Sequence, residues 1–370
     1  MELKEEALNI HKKLKGKIEI KTKANMKTQE MLKLLYTPGV AEISKEIMKN
    51  KDSIYDYTWK SSVIAILSNG TRLLGLGNAG PYAALPVMEG KAALFKSYAN
   101  VDAVPLCVDL YSLEELEAFA KAIQPCFGGI NLEDIQTDIA FFLYERLSNE
   151  LDIPVFHDDR HGTGIVVLAA LINAFKLTNK GKEAKITIYG AGSAALGIAE
   201  ILNAYGMKNL VIYDSKGQIT EKRQDIKGTY KEVFLQLIGE EENEKSDVLI
   251  ATSGPGSIDE KMLKNMANDP IIFTLSNPEP DIAYNIAKKY SNIVATGRSD
   301  MPNQVNNVLA FPGFFKALLK YRIKKVKKDM QIKAAEAIAK SVSHLSYDSI
   351  LPRPFDKNVI KNILKALKTF

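Results

Sequence analysis

The chain has 370 residues, 46% of them apolar, enough to bury two packed domains of ordinary size. Its net charge of +5 is spread as alternating Lys and Glu; the one basic run, at 321–328, has no interleaved aromatic pattern, which argues against nucleic acid and leaves a mild bias toward anionic substrates. The longest apolar run, Ile165–Ile172, stops at Asn173, short of the roughly 20 residues a membrane span needs, and the charged first residues lack the apolar core of a signal peptide, so a soluble cytoplasmic protein is expected.

Cys107 and Cys126 both lie in apolar stretches and are expected to be buried, reduced thiols. In chain order, Ser61–Leu67 reads as a strand ending in the turn pair Asn69-Gly70, followed by strands at Asp102–Val108 and Ile153–Phe156. Between them lie helix patterns, one opening with the capping box Ser112-Leu-Glu-Glu115. This half is expected to end near residue 157, giving one domain over 1–157 and a second over 158–370.

The second half begins with an apolar helix, Gly164–Leu177, and the turn Asn179-Lys-Gly181. Strands follow at Lys185–Tyr189, Leu210–Tyr213, Val248–Ala251, Ile271–Leu275 and Ile293–Ala295. That rhythm predicts an α/β fold whose second half is a doubly wound parallel sheet of Rossmann type. Lys216–Lys245, polar and rich in Glu toward its end, is expected to be an exposed excursion, and Met330–Ser341 an amphipathic helix.

The strand at 185–189 leads directly into Gly190-Ala-Gly192-Ser-Ala-Ala195-Leu-Gly197 and then a helical run. Gly190 suits a tight turn, Gly192 lets the backbone approach a pyrophosphate, and the small Ala195 and Gly197 allow close helix packing. Asp214, about 20 residues on, stands where a carboxylate would hold ribose hydroxyls. Its charge favours NAD, while the nearby Lys216 keeps NADP open.

Two acidic pairs follow strand-like segments, Glu133-Asp134 and Asp158-Asp159. Hard cations such as Mg²⁺ and Mn²⁺ take about six oxygen ligands, some of which a substrate can supply. Adjacent carboxylates on an extended segment point to opposite sides, so one of Asp158 and Asp159 can bind metal while the other faces a separate group. His157 and His161 flank that pair. Their spacing would suit zinc on a helix, but the segment reads as strand and loop with no cysteine nearby, so a structural role is expected.

Seven ordered motifs carry a family resemblance: Tyr36-Thr-Pro-Gly-Val-Ala41, Gly75-Leu-Gly-Asn-Ala-Gly80, Glu89-Gly-Lys91, Leu132-Glu-Asp134, His157-Asp-Asp-Arg-His-Gly-Thr163, Leu275-Ser-Asn-Pro278 and Gly297-Arg-Ser-Asp-Met-Pro-Asn-Gln-Val-Asn-Asn307. From about Lys23 to Gly313 the chain resembles the malic enzymes, in their short prokaryotic form. The resemblance implies an N-terminal α/β malic domain and a dinucleotide-binding domain. It implies oxidative decarboxylation of L-malate to pyruvate with a nicotinamide cofactor and Mg²⁺ or Mn²⁺.

By the same resemblance Tyr36 is the general acid, Lys91 the general base and Asp158 its partner. Glu133, Asp134 and Asp159 are the metal ligands. Arg72, Lys91, Asn277, Asn306 and Asn307 contact malate. Gly190, Gly192, Ser193, Ala194, Ala195, Asp214 and Asn277 hold the cofactor. Lys91, partly desolvated near a cation, is expected to have a lowered pKa. The chain departs from the short members at Arg160, where glutamine is usual, and at Gly164, where alanine is; Arg160 is expected to add a positive charge beside the metal shell.

Two other readings share these residues. A malolactic-type decarboxylase, which retains the reduced cofactor and releases lactate, uses the same motifs. A non-catalytic dinucleotide-binding regulator is opposed by the retention of Tyr36, Lys91 and all three expected ligands. The resemblance also implies a homodimer whose active sites can be shared, with Tyr36 serving its partner and the segment before it as the exchange surface.

Overall fold

The structure is a computed structural model that describes residues 2–73, 76–239 and 245–370. Gly75 of the second motif, and residues 240–244 of the expected excursion, lie outside the described residues. The chain opens with α1 (Glu2–Leu14), α2 (Gln29–Leu35), α3 (Val40–Lys49) and a short α4 (Ile54–Tyr57). Among the described residues, none before Lys60 is buried. These elements therefore gain little from packing within one chain, although they expose Leu32, Leu34, Leu35, Tyr36 and Met48.

The first sheet contains β1 (Val63–Ser68), β2 (Asp102–Cys107), β3 (Ile130–Leu132) and β4 (Val155–His157), all parallel, in the order β2-β1-β3-β4. Between them run α5 (Gly80–Ala99), α6 (Leu113–Ile123) and α7 (Thr137–Glu150). The strand side-chain period of two divides β1 between two cores. Ile64 and Ile66 join Phe95 of α5 on one side, while Val63, Ala65 and Leu67 join Leu116 and Leu143 of α6 and α7 on the other. The expected capping box opens α6: Ser112 Oγ accepts from the Glu115 amide and Glu115 answers on the Ser112 amide.

A single π-helical turn, Asp158–Gly162, leads into α8 (Thr163–Thr178). This corrects the strand-and-loop reading of the Asp158-Asp159 segment. It also makes Asp158–Thr178 one helical stretch that is long and apolar enough to cross a membrane by composition. Most of that stretch is buried inside the protein, where α8 packs against α9 (Ser193–Tyr205) and α13 (Lys328–Lys340).

The second sheet has β5 (Ile186–Tyr189), β6 (Leu210–Asp214), β7 (Gly217–Gln218), β8 (Val248–Ala251), β9 (Ile271–Thr274) and β10 (Ile293–Thr296). Its order is β10-β9-β8-β5-β6-β7, parallel except for the β7 edge. Ile188, Ile250 and Phe273 face α8 and α9; Leu249, Ile272 and Val294 face the side of α10 (Glu260–Lys264) and α11 (Tyr284–Ala287). Helices therefore lie on both faces, as the doubly wound pattern requires.

The chain then returns to the first sheet. In α12 (Phe311–Lys320), Phe311 and Phe315 pack obliquely and edge-on against Phe95 at 4.6 and 5.4 Å, and Phe314 meets Phe156 of β4 at 5.1 Å. The final helix, α14 (Lys357–Leu367), packs on α12 and α13.

Two further expectations are corrected. Cys107 is only half-buried and Cys126 is exposed, although both are free. The segment after Lys216 is not a solvated excursion throughout, because Ile219, Ile226 and Phe234 are fully buried in the core. Its Glu-rich composition masks three widely spaced apolar anchors.

Candidate active site

The parallel register delivers the acidic residues together. Leu132 pairs with His157, so Glu133 and Asp158 leave neighbouring strands at the same level. The Glu133 amide continues the ladder to Leu67 O at 3.0 Å. Asp134 takes a positive φ of 51°, and its amide donates to Asp159 Oδ2 at 3.1 Å. Carboxylate oxygens of Glu133, Asp134 and Asp159 all lie within 4.8 Å of one another.

Asp158 and Asp159 do diverge, but because successive residues of a helical turn point in different directions. Asp158, fully buried, pairs with Lys91 of α5. Asp159 faces Asp134 and lies 3.7 Å from His157 Nε2. Lys91 also pairs with Glu133 Oε1, and its Nζ lies 4.7 Å from the Phe311 ring centre. Asn307 steadies this group, donating to Asp158 O at 3.2 Å and Oδ2 at 3.3 Å while accepting from Thr163 Oγ1.

The charges are strongly interdependent. Burial opposes the Lys91 charge, but Asp158, Glu133 and Asp159 outweigh it and raise its pKa above the ordinary value. This is opposite to the expected lowering, since the sequence did not show that three carboxylates converge on one ammonium. Burial raises Asp134 from 3.8 to about 7, helped by Asp159, and burial also raises Glu133. Asp159 resists its own burial through the His157 imidazole beside it and is held at about 2.

Sequence reasoning missed Asn131, which orients one of these carboxylates. Asn131 Nδ2 donates to Glu133 Oε2 at 2.8 Å, while His157, for which a structural role was expected, stands beside Asp159. His161 is packed at 4.5 Å from the Tyr144 ring, and its Nδ1 accepts from the His157 amide, consistent with a structural role. Asn131 Oδ1, both His157 ring nitrogens and Asp158 Oδ1 are buried without a hydrogen-bond partner, an uncommon concentration of unmet polar groups.

A cleft of about 1040 Å³ lies between the halves. Its first-half wall carries Arg72, Lys91, Glu133 and Asp134; its second-half wall carries Asp158, Asp159, Ala194, Gly254, Asn277, Asn306 and Asn307. Arg72 hydrogen-bonds to Thr137, reaches Ser193 Oγ at 3.4 Å and lies beside Gly192, joining the first-half wall to the start of α9. Asn306 Oδ1 caps the turn at 307–309 by accepting from the Val308 amide.

Gly190 has φ +119°, and a Cβ there would lie 2.4 Å from Thr252 Oγ1. Ser193 and Ala195 are buried in α9, whose N-terminus opens toward the cleft side. Asp214 ends β6, where Arg223 at 3.2 Å and Lys231 at 2.7 Å hold its carboxylate at about 2 despite burial. Lys216 Nζ is engaged with Asp225 at 3.0 Å. Nor is the carboxylate alone: the Lys216 amide, Arg223 and Lys231 all contact Asp214, a setting sequence spacing only hinted at.

Arg160 is corrected. Its guanidinium turns away from the acidic cluster, binds Glu200 of α9 at 2.9 Å through Nε, meets Glu145 of α7 at 3.1 Å and stacks over Tyr144. Tyr36 is 61% exposed and does not line the cleft of its own chain.

Family models described as malic enzyme, N-terminal domain, and malic enzyme, NAD binding domain, match residues 15–148 and 161–363. The chain belongs to the malic enzyme family. It is 45% identical to the bifunctional malic/malolactic enzyme of Bacillus subtilis, across 99% of this chain and 92% of that protein. It is 43% identical to the NAD-dependent malic enzyme of Geobacillus stearothermophilus, across 95% and 76%. The crystal structure of the NAD-dependent malic enzyme from Thermotoga maritima superposes with a TM-score of 0.93 at 41% identity, covering 98% of each chain. This malic enzyme is thus an oxidoreductase with a dinucleotide-binding second half.

Proposed function

We propose that the cleft carries out oxidative decarboxylation of L-malate to pyruvate and CO₂. The observation that carries this reading is the Lys91 ammonium between Glu133 and Asp158, beside a three-carboxylate cluster in a cleft that the dinucleotide helix also reaches. Glu133, Asp134 and Asp159 fit a hard divalent cation by donor type and convergence, and the unmet polar atoms around them suit an additional charge. Glu133, Asp134 and Asp159 would hold Mg²⁺ or Mn²⁺, whose Lewis acidity would polarise the oxygen on malate C2, and a dinucleotide held at α9 would serve as the acceptor of the C2 hydride.

The chain's own groups do the rest. Arg72 pairs with a malate carboxylate, and Asn277, Asn306 and Asn307 orient the substrate. A cation at Glu133, Asp134 and Asp159 would offset the carboxylates that hold Lys91 as an ammonium; as the neutral amine, Lys91 Nζ takes the C2 hydroxyl proton, with Asp158 and Asn307 holding it in place. After CO₂ leaves, Tyr36 delivers a proton to C3, with Lys91 governing the proton on the C2 oxygen. Gly190, Gly192, Ser193, Ala194, Ala195 and Asp214 hold the cofactor. NAD is the first choice; NADP stays open because Arg223 and Lys231 neutralise the carboxylate that would repel a 2′-phosphate.

Tyr36 is exposed within one chain, and the segment around it presents apolar side chains. This supports a homodimer in which Tyr36 of the partner subunit completes the site. We assign the domain division to 157/158, where β4 ends and the helical stretch leading to the second sheet begins. A cytoplasmic setting is part of this reading, supported by two free thiols.

The test is turnover of L-malate with Mn²⁺ and either NAD or NADP. Equal yields of reduced cofactor and pyruvate, lost on chelation, support the reading. Lactate without net cofactor reduction would move it to the malolactic reaction, which the name of the Bacillus subtilis relative keeps open. Cofactor binding without turnover would leave a regulator.

Metal binding should also depend on pH. Asp134, raised to about 7, must lose its proton to ligate, so Mn²⁺ affinity should rise with pH up to about 7 and then level. Because its folded pKa is raised, the metal-free protein binds more protons than the unfolded chain between 3.8 and about 7. This group therefore costs stability as pH rises through that window, and saturating Mn²⁺ should reverse the trend. Calorimetric titrations at several pH values, with melting curves in chelator, check both; Mn²⁺ affinity flat across this range would refute the assignment of Asp134 as a ligand.

A further inference from the structure

Asp281 is fully buried in the segment after Pro280, and its carboxylate meets N–H and O–H donors from two separate loops. From the loop after β8, the Ser253 amide donates to Oδ1 at 2.8 Å, the Gly254 amide at 3.0 Å and Ser257 Oγ at 3.2 Å. From the loop after β9, Ser276 Oγ donates to Oδ1 at 2.8 Å and the Ser276 amide to Oδ2 at 3.0 Å. Thr274 Oγ1 lies 3.4 Å from Oδ2, and the Ile258 amide reaches Asp281 O at 3.3 Å. No ion pair of Asp281 is found among the described residues.

A buried carboxylate satisfied by dipoles in place of a cation is costly to desolvate, so its charge has to be matched by converging donors. Here the matching fixes two loops against one another. Both line the cleft, through Ser253 and Gly254 on one loop and Ser276 and Asn277 on the other. The loops also meet directly, since the Gly254 amide lies 2.9 Å from Ser276 Oγ. Asn277, one residue beyond Ser276, is wedged over Gly297: a Cβ on Gly297 would lie 2.2 Å from Asn277 Nδ2. A shift of the Ser276 amide therefore moves the Asn277 side chain.

We infer that Asp281 is a positioning residue that locks these two loops into one rim of the cleft and so sets Asn277 against substrate and cofactor. This rests on the reading of the cleft as a malate and dinucleotide site. Asp281 itself touches neither ligand. Its carboxylate acts through backbone amides that a neutral amide side chain cannot serve, because one end of asparagine is itself a donor.

The experiment compares Asp281→Asn, Ser276→Ala and, as a control, Asn173→Ala. Asn173 is a buried side chain that donates to Ala339 O of α13 and Ile350 O of the following segment, away from the cleft. Melting temperature, malate KM, kcat and the dinucleotide Kd by calorimetry are measured for each. Asp281→Asn should raise malate KM and dinucleotide Kd by about tenfold, and Ser276→Ala malate KM by about threefold with little change in melting temperature. Asn173→Ala should melt earlier with KM and Kd unchanged. Lower melting of Asp281→Asn with wild-type KM and Kd would overturn the inference. If that variant is insoluble, an unchanged KM in Ser276→Ala overturns it instead. If the wild type binds dinucleotide but does not turn over malate, the reading of the reaction fails, and the Kd of Asp281→Asn still decides the positioning role.

Discussion

Replacing Lys91 with alanine is expected to lower kcat/KM for malate by about a thousandfold, the order expected for loss of a positioned proton-transfer group. Lys91 is the ammonium on which Asp158 and Glu133 converge, so the same change leaves two buried carboxylates without their counter-charge. Unpaired buried charge destabilises strongly, and the variant should melt earlier in chelator and recover with Mn²⁺. Kinetics below the melting range separate the two effects; near wild-type turnover would remove Lys91 from the chemistry.

Tyr36→Phe makes the matching experiment. It should be nearly inactive, with a melting temperature close to wild type because Tyr36 is exposed within its own chain. When the two inactive variants are mixed and allowed to exchange subunits, random pairing should restore about a quarter of the sites if Tyr36 serves its partner. No recovery despite demonstrated exchange would place Tyr36 and Lys91 of one chain in the same site.

The second large effect is expected at Gly197. A Cβ there would lie 1.7 Å from Arg160 O and 2.4 Å from the Arg160 carbonyl carbon, both backbone atoms that cannot swing aside. Gly164 Cα faces Gly197 O in the same crossing, where an added Cβ would come within 2.5 Å. Gly197→Ala should force α9 away from the turn that carries Asp158 and Asp159. The stability loss should be about 3 kcal/mol, at the upper end for overpacking because backbone must move. Dinucleotide affinity should fall with it, as the N-terminus of α9 retreats from the cleft. Chemical denaturation and calorimetric titration measure the pair; a wild-type melting curve would show that the helices have more room than these distances allow.

Gly197 also shows what was legible in the sequence. Its place in Gly190-Ala-Gly-Ser-Ala-Ala-Leu-Gly197 pointed to close helix packing, because that pattern is local and its spacing is set by one turn of chain. The capping box at Ser112 and the apolar strands of both sheets were readable for the same reason: each depends on residues a few positions apart. The family motifs named Glu133, Asp134, Asp158, Asp159 and Lys91 as a group without showing how they meet.

What met them was tertiary. Asp158–Gly162 became helical although Asp-Asp-Arg-His-Gly has no apolar period to announce it. Arg160 left the acidic cluster because Glu200, 40 residues away, offers a bidentate partner across α9. The Lys91 pKa rose because Asp158, 67 residues away, arrives at the end of an adjacent element. Asp281 gave no local signal, since its donors come from loops brought together by the order of β8 and β9 in the sheet. The turn at 158–162 apart, local sequence determined where strands, helices and turns of both sheets fall, through periodicity and capping. Only the packed sheets decided which charges face one another, because electrostatic partnership depends on distance in space and burial, neither of which sequence separation encodes.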